Sequence, residues 1–109
     1  MKKDEVYLAR IVDSAQKISR TVARHSEETF AADENAVASV VLWLVQIGEL
    51  AKRVSDESKN TIDLPWKDIS GFRDVAVHDY YELDVSDVWK TAVHDISEVV
   101  KKIPPASTL

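Results

Sequence analysis

Apolar residues recur along this chain at steps of three and four, separated by polar stretches, and that rhythm predicts four helices. From about Lys3 to His25, Tyr7, Ile11, Ala15, Ile18 and Val22 fall on one stripe, while Lys2, Lys3, Arg10, Lys17, Arg20 and Arg24 lie largely off it. A second helix spans about Asp33 to Val54, with Asp33 as N-cap or first-turn acid and a stripe of Val37, Val40, Val41, Leu44, Ile47, Ala51 and Val54. Residues 55 to 65 are polar and read as a loop, and Pro65 suits a helix start. A third helix covers about Trp66 to Val77, with Trp66, Ile69, Phe72 and Ala76 facing inward. The last runs from about Val85 to Ile103, capped by Asp84 with Asp87 in its first turn, and Pro104-Pro105 ends it. Its core stripe is Val85, Val88, Trp89, Ala92, Ile96, Val99 and Ile103.

No stretch alternates apolar and polar residues long enough for a sheet. The expected fold is all-α, an antiparallel four-helix bundle with short connections, forming one domain over residues 1–109. The second helix carries Leu42, Trp43 and Val45 outside its stripe. A bundle this small cannot surround a helix that is apolar nearly all round, so this extra surface is read as a homodimer contact.

Composition narrows the classes. Hydrophobic residues are 45% and charged residues 30%, which fits a folded chain and not a disordered one. Two Gly and three Pro leave few turns, in keeping with long helices. The absence of Cys removes disulfide, thiolate and Cys-zinc chemistry, and a cytoplasmic location is the natural expectation. No apolar run follows Met1-Lys2-Lys3-Asp4-Glu5, so no signal peptide is expected. The run Val40 to Val45 is too short to span a bilayer, so no membrane role is expected either. The net charge of −5 has the wrong sign for broad nucleic-acid binding. Any contact with RNA must rest on a local basic pocket, or on a dimer that concentrates cations.

The densest chemistry lies in Arg73-Asp74-Val75-Ala76-Val77-His78-Asp79-Tyr80. A permanent cation beside a side chain of the type that titrates near neutrality is a minimum kit for phosphodiester chemistry. Arg73 falls on the side of Ile69, Phe72 and Ala76, where a charge needs a partner, and Asp68 or Glu49 is the structural choice. Taken alone, His78 reads as a surface or capping histidine before it reads as a catalytic one. On a continuous helix it stands about 140° from Arg73. The two converge only if the helix bends or ends near Val77 or His78, or if a second subunit supplies one of them. An extended segment after Val77 puts His78 and Tyr80 on one side. Asp74, Asp79 and Asp84 match no metal-ligand spacing, and Gly48 and Gly71 are isolated, so no metal or cofactor is expected. His25 and His94 have no comparable neighbours.

Three blocks in order carry a family resemblance: Ile47-Gly48-Glu49-Leu50-Ala51-Lys52, then Leu64-Pro65-Trp66-Lys67-Asp68-Ile69 with Gly71, then Arg73-x4-His78-x-Tyr80. Trp89 in the last helix also fits. Together they resemble the HepT-like family of the HEPN superfamily over most of the chain. The resemblance implies a HEPN-like bundle with a short extra helix or turn near the motif. It implies a homodimeric, metal-independent endoribonuclease toxin of a type VII-like toxin–antitoxin system, with RNA as substrate. It also implies a cognate nucleotidyltransferase antitoxin of the MntA type that silences the toxin by adding AMP to the motif tyrosine, here Tyr80. Arg73 and His78 are then the catalytic pair. Asp74 stands where relatives often carry Asn, and an acid there orients Arg73 or His78, or opposes RNA phosphate. The competing readings are a non-catalytic nucleotide- or partner-binding subunit of a nucleotidyltransferase complex, and a plain helical oligomerisation domain.

Overall fold

The computed structural model describes residues 3–104 and is all-helical, with no strand among them. Lys2 and Pro105 lie outside the described residues. The elements are α1 (Lys3–Val22), α2 (Glu27–Ala32), α3 (Glu34–Arg53), α4 (Asp56–Thr61), α5 (Trp66–His78), a 3₁₀ turn (Tyr80–Glu82), α6 (Val85–Lys90), a π turn (Thr91–Asp95) and α7 (Ile96–Lys102). The last three form one continuous helical run, since the residues at their junctions keep right-handed helical dihedrals.

The four predicted helices are α1, α3, α5 and the α6–π–α7 run. Two short helices correct the picture. Residues 27–32 form α2, because Ser26 and Thr29 cap each other: Thr29 N donates to Ser26 Oγ at 3.2 Å, and Ser26 N donates to Thr29 Oγ1 at 2.9 Å. The helix brings Phe30, fully buried, against Trp89 with ring centroids 5.3 Å apart. The expected loop at 55–65 contains α4, started by Ser55 Oγ accepting from Ser58 N. Asp4 on α1 holds that turn from a distance, accepting from the Ser55 and Ser58 hydroxyls at 2.5 and 2.7 Å. Trp66 then donates its indole N–H to the Lys59 and Ile62 carbonyls, which fixes the start of α5. The predicted caps hold: Asp33 accepts from the Asn35 and Ala36 N–H groups, and Asp84 from Ser86 N–H.

The helix α3 is central, packed between α1 and α5. Val40, Val41, Leu44, Ile47 and Ala51 are buried there, with Ile11, Ala15 and Ile18 of α1 and Val88, Ala92, Ile96 and Val99 of the final run. With 20 residues and a mean hydropathy of 1.2, α3 has the length and apolarity of a membrane span, yet here it is the core helix. The π turn has a physical reason. Val88, Ala92 and Ile96 are buried at successive steps of four, and on a regular α-helix each such step drifts by about 40°. The wider turn absorbs the drift and keeps all three on the core.

One element departs from a closed bundle. α5 packs extensively on α3 and little on the final helical run. Of its residues only Ala76 is fully buried, and Trp66, Ile69 and Phe72 are half-buried. A groove of about 760 Å³ opens between α5 and α6 over Leu44 and Ile47.

Candidate active site

The helix α5 comes close to α3 because Gly48 has no side chain. A Cβ placed there would run into Arg73 Cβ and lie 3.1 Å from the Ile69 carbonyl oxygen. This close approach sets Arg73 beside the outer edge of α3. Its side chain is 27% exposed, and its Nε is sealed from solvent, facing Glu49 Oε1 in an ion pair without hydrogen-bond alignment. Its Nη1 donates to Asp74 Oδ1 at 3.1 Å. The same oxygen accepts from Lys52 Nζ at 2.5 Å. The hydrogen bond from Lys52, then that from Arg73, holds the Asp74 carboxyl below the usual carboxylate range. Four side chains thus form one alternating chain of charge: Glu49, Arg73, Asp74, Lys52.

The expected partner Glu49 is therefore in place, whereas Asp68 lies on the groove side and does not pair with Arg73. Asp74 meets Arg73, not His78. Lys52 was not singled out beforehand, although it sits three residues after Glu49, one turn along the same face of α3.

His78 is the last residue of α5 and is exposed. The helix runs unbroken from Trp66, so within one chain Arg73 and His78 point about 140° apart. No hydrogen bond or ion pair joins them among the described residues. The backbone turns at Asp79 into the 3₁₀ turn, which carries Tyr80 and Tyr81, so the extended segment considered after Val77 does not form. Tyr80 is 45% exposed and Tyr81 is 95% exposed, and their rings meet edge to face at 5.8 Å. Val75 and Val77 stand out from the same helix, 55% and 53% exposed. Leu42, on α3, is likewise exposed.

The surroundings are electrostatically divided. Behind Glu49, a cleft of about 400 Å³ between α1 and α3 is lined by the cations Arg10, Lys17 and Arg53, with Asp13 and Glu49 as its acids. The groove on the other flank of α5 is rimmed by carboxylates. Among the described residues, no group of three His, Asp or Glu is disposed to hold a metal ion.

The site is thus a half-buried guanidinium in an ionic network, one helical turn and a half from an exposed imidazole, with a phenol on the turn beyond. That arrangement on an all-helical scaffold defines a HEPN-type bundle. The chain belongs to the ribonuclease HepT-like family, whose profile matches residues 11–105. It is 30% identical over 104 residues to a candidate RNase from Caldanaerobacter subterraneus subsp. tengcongensis, covering 94% of this chain and 93% of that protein. It is 29% identical over 97 residues to a candidate ribonuclease HepT from Thermococcus cleftensis, covering 88% of each. A candidate RNase from Methanocaldococcus jannaschii is 28% identical over 99 residues, covering 90% of this chain and 82% of its own. No solved structure matches the chain.

Proposed function

We propose that this chain is a metal-independent endoribonuclease that cuts RNA by attack of a 2′-hydroxyl on its own neighbouring phosphate. The observation that supports it most is the Arg73-x4-His78-x-Tyr80 motif at the exposed end of α5, in a chain whose relatives are named as ribonucleases. His78 acts as general acid or base. Among the described residues it makes no hydrogen bond or ion pair that would occupy its ring, and it is exposed, so it can meet substrate. Arg73 stabilises the charge on the crowded phosphate with parallel donors. Its present anions, Glu49 and Asp74, hold the guanidinium in place until phosphate competes for it. Lys17 of the α1–α3 cleft is paired with Asp13, which leaves Arg10 and Arg53 to add local positive charge near Arg73 against the acidic net charge.

The 140° divergence within one chain is met by a homodimer. Leu42 of α3 and Val77 of α5 are exposed apolar residues on the two helices that carry Glu49 and Arg73. A two-fold contact over them would cover this apolar surface and bring the His78 of one subunit toward the Arg73 of the other. Two imidazoles then divide the work, one as acid and one as base, leaving a 2′,3′-cyclic phosphate. The chain serves as the toxin of a type VII-like pair. Its MntA-type nucleotidyltransferase partner transfers AMP to Tyr80, and the added phosphodiester then competes with RNA for Arg73.

The test is cleavage of tRNA or mRNA in EDTA. The parent chain is expected to cut, and His78→Ala to cut slower by about 10²–10⁴-fold with an unchanged circular dichroism spectrum. Equal rates for parent and variant would remove His78 from the mechanism. The occupied state of Arg73 favours one rival, a nucleotide-binding subunit without nuclease activity. Nucleotide binding lost in Arg73→Ala, with no cleavage by the parent, would establish that rival instead.

A further inference from the structure

Apart from Asp74 on its edge, the groove between α5 and α6 plays no part in the proposed chemistry, and its character is different. Its floor is apolar: Leu44 and Ile47 of α3, Phe72 of α5 and Ile96 of α7. Around it stand Asp68, Asp74, Glu82, Asp84, Asp87 and Asp95, against one cation among the described residues that line it, Lys67. Asp74 is neutralised by Lys52 and Arg73, but the other five carboxylates form no ion pair among the described residues. Such a rim repels phosphate, so the groove is not a path for RNA.

We infer that this groove is a docking site for a basic amphipathic helix of a partner protein. α5 leans on α3 and leaves the position next to α6 unfilled, which is the place a further helix of a bundle would take. The floor residues Leu44, Ile47 and Ile96 are already buried, but Ile69, Phe72, Val75 and Leu83 of the walls keep exposed surface, so an apolar face laid on them gains burial, and Lys or Arg on its flanks meets the unpaired rim. A second copy of this chain fits poorly, because a two-fold contact here would set one acidic rim against another. The exposed Leu42 faces away from the groove, as it lies about 200° round α3 from Leu44. The inference holds whether or not the chain cuts RNA. A helix seated here would lie next to Glu82 and Leu83, immediately after the Tyr80–Tyr81 pair.

The probe is a labelled synthetic helix of about four turns, with a Leu stripe at steps of three and four and Lys on its flanks. Its counterpart carries Glu in place of every Lys. Fluorescence anisotropy with the full chain is expected to show binding of the Lys helix alone, weakening as salt rises. The double variant Asp68→Lys, Asp87→Lys is expected to weaken it by at least about tenfold. The matched control Glu28→Lys, Glu57→Lys, on α2 and α4, should stay within about twofold of the parent. Val75→Lys, at an exposed position on the groove wall, should weaken the Lys helix without changing the oligomeric state. Equal loss in the control pair would reduce the effect to bulk charge and overturn the proposal. So would binding of the Glu helix, binding of neither helix, or conversion of a dimer to monomer by Val75→Lys, which would assign the groove to a second copy.

Discussion

The α-carbon of Gly48 lies directly beneath Arg73, so that any side chain at 48 would collide with the Cβ of the arginine. The glycine sits inside α3, where it costs helix propensity of about 1 kcal/mol relative to Ala. Close packing of α5 is what it supplies in return. Gly48→Ala is expected to push the two helices apart, since the Arg73 Cβ and the Ile69 carbonyl are backbone-anchored and cannot swing away. Overpacking of this kind costs about 1–3 kcal/mol, against the propensity gained. Thermal melting should show a lower midpoint, and cleavage should fall further than stability alone explains, because Arg73 moves. A midpoint at or above the parent's would show that the contact is not tight.

Arg73 meets two carboxylates with different nitrogens, Nε toward Glu49 and Nη1 toward Asp74. A lysine keeps the charge but has one compact head and cannot reproduce that fork. Arg73→Lys is expected to fold, as shown by an unchanged helical spectrum, and to lose about 10²–10³-fold in cleavage rate. Full activity in the lysine variant would mean that charge alone suffices.

Asp74 gives a pH signature. Its carboxyl titrates lower in the folded chain than in the unfolded one, because Lys52 and Arg73 donate to it. The folded state therefore binds that proton less readily. The ion pairs stabilise the chain above the ordinary carboxylate value of about 3.9, and their contribution fades as acid protonates Asp74 in the fold. Asp74→Asn should unfold at lower urea than the parent at pH 7, and the gap should close as the pH falls below about 4. A gap that stays constant from neutral to acid would assign the loss to something other than charge.

Tyr80 and Tyr81 offer two phenols on one short turn, and Tyr81 is far more exposed. Modification that followed exposure alone would fall on Tyr81. Incubation with the cognate nucleotidyltransferase and ATP is expected to add AMP to Tyr80 instead, read as a mass shift on that residue by tandem mass spectrometry. Added mass on Tyr81, with Tyr80 untouched, would separate the regulatory site from the motif.

The long helices were legible because each buries a stripe at steps of three and four, and the capping acids Asp33 and Asp84 mark their starts. The short ones were not, since six residues show no period. For α2 the signals were a lone Phe30 in a polar stretch and a capping box closed by Thr29 instead of Glu or Gln. For α4 the decisive contact comes from Asp4, some fifty residues away, which no local pattern reveals. At the site, a charge on an apolar face pointed to a carboxylate partner for Arg73, either Asp68 or Glu49, and only the packing of α5 on α3 decides for Glu49. Sharing of Asp74 with Lys52, and the opening beside α5, depend on how two helices settle on α3 and have no signature in spacing.

The π turn at Thr91–Asp95 amounts to a spare residue wound into the last helix. Removing one residue there would let the helix regularise while Val88 and Val99 kept their seats on either side. A deletion on either side of that turn would instead swing the following core residues by about 100° and expose them. The final helix of this chain is thus built to lose one residue at that turn and nowhere else along its length.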